Sequence, residues 1–383
     1  MPQPAEVSAV EALATLSVSG IRFQSQEFAP GWSCRPSRLI KQIQSRLNLP
    51  PMMKLSLMEA IDRTIADTGE SPLADQLLSA WPHDFGSAQF FRMSANVVFT
   101  FTQTQQTRIL RFNHETERSV ERIHSEIAYL QYLAAAGLAV AQPIPSLSNR
   151  YVETMNTPYG RFHSVVFEAV AGEQFDIDEL SLEQFNQWGQ ALGKLHAAAQ
   201  FYTQAGRPTW HSQVTEVVEN LPASELAIHK AIAQLCSRLN ALPVTPQTFG
   251  LIHFDFELDN LIWTEQGLVA IDFDDSAWYW FVADIAFALR DLFDDEVAKI
   301  DSSNESFQAF VAGYQTEKSI TADELSLIPL FLTLHHAIGF GQLNRALEVE
   351  LPADAPIWAT TLRQKLEAIA QKYRHELIHS FIE

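Results

Sequence analysis

The stretch His253-Phe254-Asp255-Phe256-Glu257-Leu258-Asp259-Asn260 is followed shortly by Asp272-Phe273-Asp274-Asp275. Between and before these acidic groups lie short apolar runs at 249–252, 261–263 and 268–271. The last two are separated by Thr264-Glu265-Gln266-Gly267, a hairpin turn. A hairpin there folds the two acidic groups together. No Lys or Arg occurs between Leu239 and Leu289. Carboxylates held within about 4–6 Å of one another raise each other's pKa unless a cation neutralises them. With no basic side chain supplied locally, a divalent metal is the expected counter-ion. Oxygen donors such as Asn260 and Asp272 suit Mg²⁺, which keeps several waters and is commonly shared with phosphates.

Upstream, β-branched and aromatic runs at 89–93, 97–101 and 108–112, with a polar turn at 103–106, predict an antiparallel meander. Helical spacing of Val120, Ile123, Ile127, Leu130 and Leu133 predicts a helix over 116–137, stopped by Gly137. With Val120 at 0° and about 100° per residue, Leu133 falls at about 220°, Glu126 at about 240° and Leu130 at about 280°. Glu126 therefore lies on the apolar face and needs a cationic partner, because an unpaired buried carboxylate is costly. Arg111, inward-facing with Ile109, is the candidate. Strands at 150–153 and 161–168 follow, joined by a turn with Asn156, Pro158 and Gly160. From 181–200 onward the pattern is helical apart from the hairpin region, and everything after Val282 reads as helix.

The 383 residues are 47% apolar, enough for a sizeable core, and 26 Lys and Arg against 46 Asp and Glu give a net charge of −20. Such acidity offers no footprint for a phosphate backbone, so no nucleic acid is expected as partner. Cys34 and Cys236 are the only cysteines, too few for a disulfide framework or zinc ribbon. No basic segment precedes an apolar run at the N-terminus. The most apolar stretch, 325–340, is interrupted by Pro329 and His335-His336. The expectation is a cytoplasmic protein with no membrane span. Its expected division is a loosely ordered extension over 1–51, a first lobe over 52–170 and a second over 171–383.

His-x-Asp-x-x-x-x-Asn followed after a hairpin by Asp-Phe-Asp resembles the catalytic loop and metal motif of the aminoglycoside phosphotransferase and choline kinase-like enzymes, relatives of protein kinases. The resemblance spans about 74–346. It implies an α+β, two-lobed protein kinase-like fold: an antiparallel β-sheet N-lobe with one helix, and a mainly helical C-lobe with a catalytic β-hairpin. It further implies ATP and Mg²⁺ as cofactors and a small-molecule hydroxyl as acceptor, such as an aminoglycoside, choline, homoserine or a sugar. Asp255 becomes the catalytic base, and Asn260 and Asp272 the metal ligands. Arg111 and Glu126 take the place of the Lys–Glu pair that positions the α/β-phosphates. Asn96, in the turn Ser94-Ala95-Asn96, caps the phosphates, and backbone groups of Glu168 and Val170 receive adenine. Asp284 would anchor the catalytic loop.

This chain departs from the family pattern at Phe254, where most members have Gly, and at Arg111, whose planar fork is not interchangeable with an ammonium. Glu257 stands where protein kinases have Lys, which disfavours protein substrates. Two alternatives stay open: a protein Ser/Thr kinase of the same family, and a catalytically silent nucleotide-binding protein. The helices over 325–346, with Asp275, Trp278, Tyr279 and Trp280, are the expected acceptor wall, the aromatic residues being either a cation–π site or packed core. His196 reads as a packing histidine. His375-Glu376-Leu377-Ile378-His379 matches a zinc-protease motif but lacks room downstream for a third ligand, so a solvated terminal helix is expected.

Overall fold

A computed structural model describes residues 52–293 and 302–380; the extension expected over 1–51 lies outside the described residues. The described part begins with two short helices that the sequence reading did not anticipate, α1 (Leu55–Asp62) and α2 (Pro72–Leu78). Ser71 caps α2, and Pro72 fits the first helical position because its missing N–H is not needed there.

The meander follows as β1 (Gln89–Met93), β2 (Val97–Gln103) and β3 (Gln106–His114). The β2–β3 connection is a two-residue turn with Thr104 and Gln105 both at positive φ, matching the twist of a tight hairpin without glycine. Helix α3 (Val120–Ala135) starts later than its apolar spacing suggests, because the Ser119 hydroxyl accepts from the Arg122 N–H and sets the first turn. Then come β4 (Pro143–Ile144), β5 (Glu153–Thr157) and β6 (Gly160–Glu168). Thr157 pairs with Gly160, so β5 lies a few residues beyond the expected 150–153. The antiparallel sheet has the order β1-β2-β3-β6-β4, with β5 also on β6.

The second lobe contains α4 (Leu182–Ala199), α5 (Trp210–Asn220), α6 (Leu226–Asn240), β7 (Phe249–Ile252), β8 (Leu261–Thr264), β9 (Gly267–Ala270), β10 (Ala277–Trp280), α7 (Phe281–Ala288), α8 (Glu305–Gln315), α9 (Ala322–Leu325), α10 (Ile328–Ala346) and α11 (Ile357–His379). The β8–β9 hairpin is the expected one. Strand β10, which pairs with β7, is an addition hidden in an aromatic run. Helices α4 and α8 cross closely enough that a Cβ on Gly189 or Gly313 would collide with the facing backbone, so only glycine permits this approach. The stretch Ala322–Ala346 is long and apolar enough by length and composition to cross a membrane. Within this fold, however, α10 packs against α5, α7 and α11.

Helix α3 lies at the junction of the lobes. Tyr129 and Tyr132 donate to the carbonyls of Leu251 and Ala198 at 2.7 and 2.9 Å, Ser125 donates to Gly206 O at 3.1 Å, and Arg207 donates to Arg122 O at 2.9 Å. A buried tyrosine hydroxyl needs such a partner, and here each partner belongs to the C-lobe. His196 is a packing residue as expected: fully buried, it sits 2.9 Å from the Tyr314 hydroxyl and 3.1 Å from Asp284.

Candidate active site

The loop after β7 is fixed from beneath. Asp284, in the first turn of α7, accepts the N–H groups of His253 and Phe254 at 2.8 and 2.9 Å, besides contacting His196. Phe254 has φ +77°, the left-handed region where glycine is favoured. A side chain costs about 1–2 kcal/mol there. Its ring is 4% exposed and packs against Tyr279, Phe287 and His335, and burial of that size offsets the cost.

His253 is fully buried with one role per nitrogen: Nδ1 accepts from the Asp255 N–H at 3.3 Å and Nε2 donates to Ile271 O at 3.0 Å. Only the neutral imidazole satisfies both. Burial lowers its pKa below the usual 6.5, against the pull of Asp284 and Asp255. A depressed histidine contributes stability that is present above the unfolded value, about 6.5, and is lost as pH falls toward the folded value. Imidazole NMR should therefore show His253 titrating below the ordinary histidine value. A midpoint at or above 6.5 would contradict this packing.

Asp255 sits at the mouth of the loop. Its Oδ2 accepts from Asn260 Nδ2 at 2.9 Å, and Arg290 approaches its Oδ1 at 3.4 Å while pairing more tightly with Glu257. The Asn260 amide nitrogen also donates to Asp255 O at 2.9 Å, so both contacts with Asp255 use the nitrogen and not the side-chain oxygen. Asp272 adopts φ +63° just beyond the hairpin. Asp255, Asn260 and Asp272 thus line one cleft, together with Asn96 from the β1–β2 turn.

The first lobe supplies positive charge that the hairpin region lacks. Arg111 donates to Glu126 at 2.6 Å, the pair anticipated from the helix face, and its other amino group reaches Asp272 at 3.2 Å. Arg92 donates to the second Asp272 oxygen at 2.7 Å. Arg118 pairs with Asp275 at 2.8 Å and Asp274 at 3.3 Å. Asn96 donates to Asp274 at 3.0 Å and accepts from Asn113 at 2.6 Å. The expectation that the acidic group has no basic neighbours is therefore corrected: arginines distant in sequence reach it. Arg290 does carry a signal, as the first basic residue after the arginine-free stretch. Arg92, Arg118 and Arg207 carry none, because their importance arises only when the lobes meet.

These arginines do not neutralise the site. Six carboxylates and one guanidinium line the cleft. Burial and the neighbouring Asp274 push Asp272 up to about 7 despite Arg92 and Arg111. Burial likewise pushes Asp275 up to about 6. Burial also works against the Asp274 carboxylate, but Arg118 and Arg111 outweigh it and hold its pKa below the usual range. Among the described residues no three His, Cys, Asp or Glu side chains form a metal cage. Two oxygen ligands in a cleft still short of positive charge fit Mg²⁺, which binds through one or two protein oxygens plus phosphates.

Arg207 holds the Asp-Phe-Asp-Asp turn by its backbone, donating to Phe273 O at 3.2 Å, Asp274 O at 2.5 Å and Ser276 O at 2.8 Å. Arg207→Met removes the donor to the Asp274 and Ser276 carbonyls and should destabilise the protein by roughly 2–4 kcal/mol. Urea denaturation measures this, and a loss under about 0.5 kcal/mol, the level of an ordinary surface change, would show that the clamp is dispensable.

Glu168 ends β6 and Val170 follows it in the connection between lobes, where Glu168 N–H donates to Gln142 O at 2.9 Å. Of the expected acceptor wall, Asp275 and one side of α10 line a second cleft beside the first. The aromatic residues of β10 do not form a cage: Tyr279 and Trp280 are buried, Trp280 against Trp210, Phe249 and Phe331. His375 and His379 stack on the exposed face of α11, while Glu376 turns to His336 at 2.8 Å.

Comparison with known proteins fits this geometry. Residues 89–318 match the model of the phosphotransferase enzyme family. The chain is 28% identical over 275 residues to amicoumacin kinase of Bacillus subtilis (strain 168), covering 68% of this chain and 81% of that one. It is 31% identical over 182 residues to homoserine kinase of Polaromonas naphthalenivorans (strain CJ2), covering 44% and 54%. Among solved structures, amicoumacin kinase hAmiN in complex with AMP-PNP, Ca²⁺ and Ami superposes with a TM-score of 0.68 at 23% identity, over 81% of this chain and 93% of that one. A microcompartment-associated aminopropanol kinase gives 0.60 at 24% identity, over 80% and 97%. The α+β, kinase-like architecture expected from the sequence is thereby established, and the chain belongs to the phosphotransferase enzyme family.

Proposed function

We propose that this protein transfers the γ-phosphoryl group of ATP, with Mg²⁺, to a hydroxyl of a small molecule. The observation that carries the reading is the convergence of Asp255, Asn260 and Asp272 on one cleft, above a loop locked by Asp284. The N-lobe over 52–170 holds nucleotide and the C-lobe from 171 onward holds acceptor, with the protein working in the cytoplasm where ATP is abundant. The names of the relatives, kinases of amicoumacin, homoserine and aminopropanol, support a small alcohol as acceptor.

In this reading Asp255 accepts the acceptor hydroxyl's proton while Asn260 and Arg290 fix its carboxylate. Glu126 orients Arg111 toward the phosphates, Asn96 approaches them from the β1–β2 turn, and the backbone at Glu168 and Val170 receives the base. Mg²⁺, held by Asn260 and Asp272, supplies neutralisation of phosphate charge. Closure of the lobes excludes water and so disfavours hydrolysis.

The Arg92 and Arg111 contacts to Asp272 favour one rival, a protein that binds nucleotide without transferring phosphate. Single-turnover assays with γ-labelled ATP and a panel of amino alcohols, homoserine, choline and aminoglycosides separate the two. Labelled product with any acceptor supports transfer. Bound ATP with no labelled product across the panel supports the silent reading.

A further inference from the structure

Beside the catalytic cleft lies a second, solvent-open one. The two share Ala95 and Asp275, so a molecule seated in the second can present a hydroxyl toward the first. Its walls come from both lobes: Glu117, Arg118 and Arg122 at the start of α3, and Arg345 on α10 opposite α5.

The charge of its lining differs from that of its neighbour. Three guanidiniums, Arg118, Arg122 and Arg345, face three carboxylates, Glu117, Glu216 and Asp275. Among the described residues, two of these groups hold a polar atom without a partner. The Glu117 side chain is 2% exposed; one of its oxygens accepts from Arg345 at 2.7 Å, while its Oε1 is buried without a hydrogen-bond partner. Arg122 Nε is likewise buried and unpartnered, and the Arg122 guanidinium comes no nearer than 3.8 Å to Asp275. Buried polar atoms are normally paired, and unpaired ones call for an explanation such as a ligand.

We propose that this cleft binds a zwitterionic acceptor, a hydroxy amino acid or a closely similar amino alcohol carrying an anionic group. Its ammonium meets Glu117 Oε1 and its carboxylate meets Arg122. A polycation such as an aminoglycoside would set several ammonium groups against a wall of zero net charge. A purely cationic alcohol would leave Arg122 unpaired. The inference rests on the small-molecule kinase reading and narrows its substrate class.

The test measures binding and turnover separately on the full chain. L-Homoserine, choline and spectinomycin are titrated by calorimetry, with and without ATP and Mg²⁺, and then assayed as acceptors. The expected result is that L-homoserine binds best. Glu117→Gln should weaken it at least about tenfold, seen as a raised KM with ATP affinity kept. Arg122→Met should weaken L-homoserine by a similar factor but leave 3-aminopropanol, which lacks the carboxylate, unchanged. Should the charge variants fail to fold, Gln342→Trp narrows the cleft without removing a charge and should abolish acceptor binding. Tighter binding of choline or spectinomycin, no binding by any probe, or homoserine binding indifferent to all three variants would overturn the proposal. If some acceptor is phosphorylated while these substitutions leave its KM unchanged, the kinase reading stands and the zwitterion site falls. If homoserine binds as described but no phosphate is transferred, the kinase reading fails instead.

Discussion

Asp255→Asn should reduce phosphoryl transfer by about 10²–10⁴-fold, the range typical of losing a positioned proton acceptor. The substitution keeps shape and volume, and Arg290 retains its stronger partner Glu257, so the fold should survive. If Asp255 contacts the acceptor hydroxyl, as proposed, ATP affinity should change by no more than about twofold, while kcat falls and the acceptor's KM moves little. Single-turnover kinetics with saturating acceptor reads the chemical step directly. Near-wild-type turnover would remove Asp255 from the role of base.

Asp272→Ala should abolish the magnesium dependence of nucleotide binding. Two arginines already contact this carboxylate, yet burial and the neighbouring Asp274 push its pKa up to about 7, so a further cation would stabilise its charged form. Mg²⁺ held by Asn260 and Asp272 would provide that charge and neutralise the ATP phosphates. Without Asp272, the ratio of ATP affinities measured with Mg²⁺ and with chelator should collapse toward one. Alanine at φ +63° adds backbone strain of about 1–2 kcal/mol. Asp272→Asn tolerates this conformation better and provides the control. An unchanged ratio in a folded Asp272→Ala protein would show that the residue only anchors its loop, and would favour the nucleotide-binding, catalytically silent reading.

Elements whose signal is local were legible in the sequence. The β8–β9 hairpin is announced by its turn, the meander by alternating β-branched runs, and Glu126 by a carboxylate on an apolar helical face that Arg111 satisfies. The motif placed Asp255, Asn260 and Asp272 together because a single hairpin joins them. What depends on distant pairing was not legible. Arg92 and Arg118 lie more than a hundred residues from their acidic partners, and neither has a neighbouring pattern that marks it. Strand β10 was hidden because Trp278-Tyr279-Trp280 serves pairing and burial at once, and aromatic content alone does not separate a strand from a binding wall.

The hydrogen bonds from α3 to Leu251, Ala198, Gly206 and Arg207 have a mechanical consequence. Although its sequence lies among the strands of the first lobe, the helix is tethered to the second, and Arg118 adds two further ties at Asp274 and Asp275. A tilt of the sheet over this helix would load the Arg111–Glu126 ion pair, which joins β3 to α3. In kinases whose corresponding helix swings free, that swing can serve as an off-state. Here such a swing would break six polar attachments at once, a cost that keeps the helix and its Glu126 seated on the second lobe.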